Sequence, residues 1–382
     1  MKTTGIICEY NPFHLGHDKQ IRILREQNPT GGIVCLMSGN YVQRGMPAIF
    51  DKVHRAKAAI LSGADLVLEL PVTAALSSAE GFAAEGVRIL NGFCDTLSFG
   101  AEDADTQLLM DITKALLSPE FSVQLKNQLA EGLSFPAARQ KALSQLGVNA
   151  EILSKPNNIL AVEYCKAILS QNANINPEPV FRGGNYHDTI ADIANPSASS
   201  VRLLMEKGEP WQKFIPQNAA ACFEKATIHT LQNAEKAILY CLKTMTDAEY
   251  EALPYGSEGL WRKLMKNARK HLTLEQIITA TKSKRYTRTR LDRMIMCAFL
   301  GLTAEDLCRS APYVRVLALN DTGRNILLKA RQTGHFPNLG ETIDHPYQAI
   351  ENRCDDLYFL FAEGNIKTDH YTKRRVYYHE NI

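Results

Sequence analysis

The sequence predicts an α/β fold in which a parallel sheet covered by helices occupies residues 1–205 and a mostly α-helical C-terminal domain follows over residues 206–382. Short apolar runs alternate with helix-like segments through the first hundred residues, which is typical of a parallel sheet buried on both faces. The segment after about residue 217 is helical in pattern and has few strand signals. The length of 382 residues fits two domains or three.

The individual elements follow from apolar periodicity, helix caps and chain breakers. The first strand is predicted at Thr3–Glu9, and a helix follows from about Leu15 to Gln27. A second strand, Gly32–Ser38, precedes a helix over Asp51–Ser62 that Asp51 can cap. The remaining predictions are a strand at Asp65–Leu70, a helix at Ser77–Leu90, a strand at Thr96–Phe99, several helices within 105–170, and a fifth strand at Pro179–Arg182.

The composition excludes several classes of protein. Hydrophobic residues make up 45% and charged residues 22% of the chain, which argues against a disordered or fibrous protein. The sequence has no run of 18 apolar residues and no apolar core of signal-peptide length at its start, so we expect neither a membrane span nor export. Nine scattered cysteines predict reduced thiols in the cytoplasm and no metal site built from protein ligands. The sequence leaves the oligomeric state open.

The charge is distributed unevenly along the chain. Residues 1–200 carry 16 Lys and Arg against 20 Asp and Glu, whereas residues 201–382 carry 27 against 21. Residues 251–300 alone carry 11 against 4. Such a basic block either meets a polyanion or is a solvated charged face.

Polar and glycine-rich residues follow every predicted strand. The first strand is followed by residues 9–17 (EYNPFHLGH), the second by residues 38–45, the fourth by Gly100 and Glu102, and the fifth by Arg182. In an open α/β sheet, ligands bind beyond the carboxyl ends of the strands. The pattern therefore predicts a nucleotide or phosphate site at this edge.

The segment His14-Leu15-Gly16-His17 is the strongest single motif. It lies between the first strand and the first helix, where helix N–H groups and a partial positive charge favour an anion. Two imidazoles three residues apart can donate hydrogen bonds to phosphate oxygens as charge builds in a transition state. The alternative is a pair of ordinary surface histidines near a helix cap.

EYNPFHLGH resembles the T/HxGH signature of nucleotidylyltransferases and class I aminoacyl-tRNA synthetases, whose shared fold is a Rossmann-like adenylate-forming domain. The wider set of motifs resembles the bacterial tRNA(Met) cytidine acetate ligase family, in the same order and over nearly the whole chain. These motifs are GIICEYNPFHLGH (5–17), MSGNYVQRGMPAIFDK (37–52), DLVLELP (65–71), SFGAE (98–102), LSKPNNILAVEY (153–164), KRYTRTRLDRM (284–294) and APYVRVLALNDTG (311–323).

The resemblance implies an enzyme that activates acetate with ATP as acetyl-adenylate and transfers the acetyl group to N4 of the wobble cytidine of elongator tRNA(Met). It implies His14 and His17 as catalytic residues, and Mg²⁺ accompanying ATP. It places the ATP site at Ile7, Cys8, Glu9, Tyr10, Asn11, Pro12, Phe13, His14, Leu15, Gly16, His17, Asp18, Lys19 and Gln20, together with Gly100, Asn157 and Arg182.

The sequence gives weaker evidence for a few further candidate contacts. Ser197–Arg202 resembles the ISSTxIR element of HxGH nucleotidylyltransferases, which makes Ser200 a candidate phosphate contact; the alternative is a plain serine cap. Arg44 could pair with a substrate carboxylate or a tRNA phosphate, or it could belong to a structural loop. Four cations interleaved with an aromatic ring, Lys284, Arg285, Arg288 and Arg290, predict a tRNA contact.

Two other functions compete with the ligase. One is a nucleotidylyltransferase that acts on a small phosphorylated substrate and uses its C-terminal half for oligomerisation. The other is a non-catalytic RNA-binding protein with a relic nucleotide fold. The basic block over residues 251–300 favours the functions that involve RNA, and the intact HxGH motif with Gly100 favours the functions that involve catalysis.

Overall fold

A seven-stranded sheet forms the centre of the computed structural model, which describes residues 1–183, 196–332, 345–364 and 376–379. Its central strands are buried runs, its edge strands are partly exposed, and a two-stranded hairpin (β3 and β4) lies beside the sheet. The strands are β1 (Thr3–Cys8), β2 (Gly32–Ser38), β3 (Tyr41–Val42), β4 (Met46–Pro47), β5 (Leu66–Leu70), β6 (Thr96–Ala101), β7 (Asn176–Phe181), β8 (Arg315–Asn320) and β9 (Tyr377–His379).

Helices cover both faces of the sheet and build most of the C-terminal half. They are α1 (Leu15–Gln27), α2 (Lys52–Leu61), α3 (Val72–Ala75), α4 (Ala79–Leu90), α5 (Thr106–Leu117), α6 (Pro119–Ala130), α7 (Phe135–Gln145), α8 (Pro156–Ser170), α9 (Ala198–Glu206), α10 (Gln217–Ala220), α11 (Leu231–Thr244), α12 (Asp247–Glu251), α13 (Leu260–Lys270), α14 (Leu274–Thr281), α15 (Arg288–Leu300), α16 (Ala304–Cys308), α17 (Asp321–Gln332) and α18 (Pro346–Tyr358). Within the described ranges, no helix is long and apolar enough to cross a bilayer.

The strand order of the main sheet is β7-β6-β1-β2-β5-β8-β9. The first five of these strands are mutually parallel, and β8 runs antiparallel to β5. From β1 the chain moves outward to β2 and β5, and then returns to the other side of β1 to form β6 and β7. The order therefore reverses between β1 and β6, which in doubly wound folds is where a ligand crevice opens.

The predicted Rossmann-like parallel sheet is confirmed. The helix Leu15–Gln27 and the strand Gly32–Ser38 have the predicted bounds, because one begins at a capping residue and the other is a continuous buried run. The fifth strand begins three residues earlier than predicted, at Asn176. The strand β8 was not predicted at all, and it returns the C-terminal half of the chain to the sheet.

The domain boundary at residue 205 stays a prediction. The residues on either side of that boundary pack into the same apolar core. Phe214, Ile215 and Phe223 share a core with Ile21 of α1, and Ile326 of α17 packs on the opposite face of the sheet. A separate core belongs to α11, α13, α14, α15 and α18. The structure thus places the separate helical core within residues 231–302 and 346–361, while residues 206–226 and 314–332 pack on the sheet.

Five charged side chains form a buried cluster between the end of β5 and the helical core. Lys52 Nζ lies 2.9 Å from Glu69 Oε1 and 2.7 Å from Asp355 Oδ2. Arg315 Nε lies 2.9 Å from Glu69 Oε2 and 3.2 Å from Glu351 Oε2, and Arg315 Nη1 donates to Asp355. Two cations thus face three carboxylates, and the desolvated carboxylates depend on both cations.

We expect Arg315→Met to lower the free energy of unfolding by about 3–5 kcal/mol, because it leaves buried carboxylates without one of their two cations. Urea denaturation followed by circular dichroism measures the change. The matched control is Arg309→Met, which removes an exposed pair with Glu305 and should cost less than about 1 kcal/mol. Equal losses in the two variants would show that the cluster does not hold β8 against the sheet.

Candidate active site

The candidate site lies at the reversal of the strand order, beyond the carboxyl ends of β1 and β6. Two adjoining depressions meet there. The first, here called the helix pocket, lies along α1 and is lined by Gly16, His17, Lys19, Gln20, Gly100, Asn157 and Arg182 among others. The second, here called the strand-end cleft, is lined among others by Ile7, Cys8, Glu9, Tyr10, Asn11 and Arg44. His17, Gln20, Gly100, Asn157 and Arg182 line both.

A tight turn after β1 delivers the two histidines to the start of α1. Tyr10 has a φ of +47°, which is uncommon for a residue with a bulky side chain, and the Asn11–Pro12 peptide is cis. His14 is the N-cap of α1: its side chain accepts a hydrogen bond from Gly16 N at 3.1 Å. His14 N in turn donates to His17 Nδ1 at 3.3 Å. The rings stack with centroids 3.7 Å apart.

Both imidazoles are neutral at physiological pH. Burial, followed by the charges of Arg182 and Arg202, lowers the pKa of His14 to about 3. Burial, followed by the nearby His14 and Arg182, also lowers the pKa of His17 well below its ordinary value. Each imidazole can therefore donate a hydrogen bond through its N–H group without carrying a positive charge.

The hydrogen bonds at α1 also fix which nitrogen carries the proton. Because Nδ1 of each ring accepts a backbone N–H, the neutral ring must carry its proton on Nε2. His14 Nε2 is buried, and no described residue accepts its proton. A buried donor of this kind at a helix N-terminus can bind an anionic oxygen.

Gly100 and Arg182 face these histidines from the neighbouring strands. Gly100 lies near the end of β6, where a Cβ would meet Arg182 Cδ at 3.4 Å. Arg182 follows β7, and its backbone N donates to Ala101 O at 2.8 Å. The register of β6 and β7 thus holds the aliphatic part of the Arg182 side chain over Gly100. The guanidinium is close enough for its charge to lower the pKa of both imidazoles.

Asn157 reaches the helix pocket because a hydrogen-bond clamp fixes the start of α8. Asn157 Nδ2 donates to Glu102 Oε1 at 2.7 Å. The neighbouring Asn158 is fully buried, and its Oδ1 accepts the backbone N–H groups of Glu102 and Asp103. The sequence reasoning identified Asn157 and missed Asn158, although both lie in the SKPNN segment.

The start of α9 brings a different serine to the site than the one predicted. Ser197 and Ser199 line the strand-end cleft. Ser200 is 1% exposed and its hydroxyl donates to Ser197 O at 2.9 Å, because the third residue after an N-cap points back along the helix. Arg202 Nη1 donates to Asn11 O, which ties α9 to the turn after β1.

Six predicted ATP contacts lie outside the lining of both depressions. Phe13 is fully buried and packs edge-on against Tyr10. Asp18 faces the other side of α1, where it pairs with Arg22 at 2.8 Å. An ATP contact for these six residues therefore stays a prediction, since their side chains face neither depression. The six are Pro12, Phe13, His14, Leu15, Asp18 and Ser200.

The far wall of the strand-end cleft comes from the β3–β4 hairpin and from α15. Arg44 lies on the hairpin, while Thr289 and Arg293 lie on α15. Gly45 has a φ of +75°, and a Cβ there would lie 2.4 Å from Arg293 N, so only glycine allows the hairpin to pack this closely. Arg293 was not predicted as a site residue: it lies in the KRYTRTRLDRM segment, 249 residues beyond Arg44, and the sequence does not show that its side chain reaches the cleft.

The four predicted tRNA cations lie outside both depressions, and three of them already have protein partners. Arg285 pairs with Glu258 at 2.6 Å, and Arg288 pairs with Glu275 and Asp292 at 2.8 and 3.2 Å. Arg290 donates to Tyr255 O and Ser257 Oγ, and Lys284 is exposed. Arg288 and Arg290 begin α15, one turn before Arg293, so the basic block leads toward the cleft.

The fold and the paired histidines define a nucleotidyl transferase with a HIGH-type motif, and the family model described as HIGH Nucleotidyl Transferase matches residues 1–374. Curated proteins named tRNA(Met) cytidine acetate ligase are similar over most of their length. The protein of Clostridium perfringens is 36% identical over 357 residues, covering 88% of this chain and 89% of the relative. That of Clostridium acetobutylicum is 35% identical, covering 92% of each. The chain therefore belongs to the tRNA(Met) cytidine acetate ligase family.

Solved structures agree with this assignment. The crystal structure of Thermotoga maritima TmcAL superposes with a TM-score of 0.88 at 27% identity, covering 99% of this chain and 100% of that one. The structure of the same protein bound with alpha-thio ATP superposes with a TM-score of 0.86. The likeness extends over the sheet and the helical core alike.

We expect the stability cost of His14→Asn to depend on pH, since Asn preserves the N-cap. The native imidazole takes up a proton only near pH 3, whereas in the unfolded chain it does so near pH 6.5. Protonation therefore favours unfolding as the pH falls from about 6.5 toward 3. The cost of the substitution should be largest above about pH 7 and shrink in acid, as measured by urea denaturation between about pH 4.5 and 8.

The control is His54→Asn, for which the opposite trend is expected. Burial lowers the pKa of His54, but the hydrogen bond and charge of Asp51 outweigh it and raise the pKa. His54 thus contributes stability below about pH 6.5 that is lost as the pH rises through its native pKa. A cost for His14→Asn that is constant with pH would contradict a neutral, buried His14.

Proposed function

We propose that this chain is an ATP-dependent ligase that forms acetyl-adenylate from acetate and ATP and acetylates N4 of the wobble cytidine of elongator tRNA(Met), giving N4-acetylcytidine. The supporting observation is the pair of stacked neutral histidines at the start of α1, of which His17 lines the helix pocket together with Gly100 and Arg182, in a chain 36% identical to a tRNA(Met) cytidine acetate ligase. We place this activity in the cytoplasm, where ATP and tRNA are both available.

In the first step, a carboxylate oxygen of acetate attacks the α-phosphorus of ATP, and pyrophosphate leaves. Such reactions depend mainly on positioning and on stabilising the charge of the transition state, without an obligatory acid or base. The Nε2 donors of His14 and His17, the N–H groups at the start of α1 and the Arg182 guanidinium supply that stabilisation. Lys19 lines the same pocket and adds positive charge for the phosphates.

Mg²⁺ enters with ATP in this proposal. The described residues contain no group of three or more His, Cys, Asp or Glu side chains that could hold a metal ion. Mg²⁺ commonly binds through substrate phosphates and water with only one or two protein ligands. The metal is therefore assigned to the phosphates of the nucleotide rather than to a site built by this chain.

In the second step, the cytidine N4 attacks the carbonyl carbon of the mixed anhydride. The strand-end cleft supports this step because it opens from the helix pocket toward Arg44 on the hairpin and Thr289 and Arg293 on α15. The basic block before and at the start of α15 can neutralise backbone phosphates next to the cleft. A wobble base turned out of its loop would enter between these walls.

The direct test uses labelled acetate, ATP and purified tRNA(Met), with mass spectrometry of the nucleosides digested from the RNA. We expect N4-acetylcytidine that depends on both ATP and acetate. Synthetic acetyl-adenylate should replace ATP plus acetate, and acetyl-coenzyme A should not. Acetylation from acetyl-coenzyme A without ATP would overturn the proposed mechanism.

Removing either imidazole should strongly slow adenylate formation while the fold is retained. We expect His14→Ala and His17→Ala each to slow acetate-dependent pyrophosphate release by about 10²–10³, the usual loss for one charge-stabilising donor. His271→Ala, at the end of α13 in the helical core, is the control and should keep the wild-type rate. Near-normal release by both single variants would remove the histidines from the mechanism.

Replacing the cations of the basic block should weaken tRNA binding without affecting the first step. Exposed ion pairs such as Arg285–Glu258 are worth about 0–1 kcal/mol, so phosphates can compete for these side chains. We expect the alanine variant of Lys284, Arg285, Arg288 and Arg290 to bind tRNA more weakly. The slope of log affinity against log salt should fall by roughly one for each lost phosphate contact.

The matched control for the block replaces Lys114, Lys126 and Lys141 on α5, α6 and α7, which lie outside both depressions. This variant should keep the wild-type salt slope. Filter binding across a salt series measures tRNA affinity, and acetate-dependent pyrophosphate exchange without tRNA measures the first step. An unchanged slope in the block variant would show that the block is only a solvated face.

A further inference from the structure

The strand-end cleft contains one carboxylate among the described residues that line it, and that carboxylate is Glu9. The other charged side chains of the lining are the cations Arg44, Arg182, Arg202 and Arg293. In the proposed function this basic cleft must bind ATP and RNA, which are both polyanions. The negative charge of a single acidic group there weakens the attraction of the cleft for them. Its presence therefore calls for a chemical reason.

Glu9 lies between the two regions that the reaction must connect. It follows the last residue of β1 and lines the strand-end cleft, but it does not line the helix pocket. Its Oε1 accepts the backbone N–H of Gln43 at 2.7 Å, which fixes the carboxylate against the β3–β4 hairpin. The hydrogen bond from a described residue goes to Oε1, and Glu9 is only half-buried, so Oε2 can meet a ligand in the cleft.

Direct binding of ATP phosphates is a poor role for this side chain, because a carboxylate repels them. Acetyl transfer, in contrast, requires a group that accepts a proton. The N4 amine must lose one proton as it becomes an amide. His14 and His17 are weak acceptors because burial lowers the pKa of both, and their Nδ1 atoms are occupied by backbone N–H groups.

We propose that Glu9 is the proton acceptor of the acetyl-transfer step, rather than an ATP contact. This inference rests on the proposed function. The N4 nitrogen forms a bond to the acetyl carbonyl carbon, and the bond between that carbon and the phosphate oxygen of AMP breaks. One N4 proton passes to Glu9 Oε2, and AMP leaves with the electron pair of the broken bond. Glu9 then returns the proton to water.

The test separates the two half-reactions in Glu9→Gln, which keeps an oxygen that can accept the Gln43 N–H. We expect acetate-dependent pyrophosphate exchange within about twofold of wild type. Single-turnover transfer from synthetic acetyl-adenylate to tRNA(Met) should be about 10²–10⁴ slower, the usual contribution of a general base. Glu9→Asp keeps a carboxylate on a shorter stem and should recover part of the transfer rate. The affinity for tRNA should not fall in either variant.

Glu80→Gln is the matched control. It removes the same charge from the first turn of α4, next to the cleft residue Ala79, on a side chain that pairs with Lys166 at the surface. It should transfer acetyl at the wild-type rate. Wild-type transfer by Glu9→Gln, or loss of pyrophosphate exchange in that variant, would overturn the role of Glu9. Failure of the wild-type protein to acetylate tRNA would instead overturn the proposed function itself.

Discussion

The geometry of the site depends on one buried guanidinium, that of Arg55 on α2. The side chain is fully buried, and it donates to the backbone carbonyl of Phe50, to that of Glu9 after β1, and to those of Ser38 and Gly39 at the end of β2. Parallel strands that end at one edge leave carbonyl groups without partners in the sheet, and a guanidinium can satisfy several of them at once through its five N–H donors. Burial lowers the pKa of Arg55, but its ordinary value is so high that the group stays charged at neutral pH. The two turns that carry the histidines and Arg44 are therefore fixed relative to each other before any ligand binds.

The helical core is attached to this framework by groups that are far apart in sequence. Asp355 of α18 binds Lys52 at the start of α2, and Tyr358 donates to Ala48 O at 2.6 Å. Tyr41 of the hairpin donates in turn to Cys354 O at 2.9 Å. The β3–β4 hairpin is consequently held between the sheet and the helical core, and α15 packs against its Gly45. Arg293 thus lines the same cleft as His17, although 276 residues separate the two in the sequence. The basic block and the nucleotide site are neighbours because the chain returns to the sheet, and not because they are close in sequence.

This arrangement explains which features could be predicted from the sequence. Buried parallel strands read as continuous apolar runs, and His14 ends the turn before an amphipathic helix, so β1, α1 and β2 were predictable almost to the residue. The strand β8 was missed because its four apolar residues form only a short run within a region of helical pattern, and because it pairs with a strand about 250 residues earlier. Ser200 was chosen over Ser197 and Ser199 because a serine-rich helix start does not show which hydroxyl faces a pocket. The roles of Arg55, Asn158 and Arg293 depend on tertiary contacts, and no local spacing reveals them.

The electrostatics of the cleft suit its side chains to different roles. Burial is the main reason that His14 and His17 are neutral, and the charge of Arg182 adds to its effect. Neutral imidazoles with both Nδ1 atoms occupied can donate hydrogen bonds to a charged transition state, but they accept protons poorly. That limitation is harmless in adenylate formation, where no proton needs to be removed from the attacking carboxylate. It matters in acetyl transfer, where an amine must become an amide. In the proposed reaction, a site that performs both steps therefore needs hydrogen-bond donors on the nucleotide side and a separate proton acceptor on the RNA side, and Glu9 is the carboxylate that we propose for the second role.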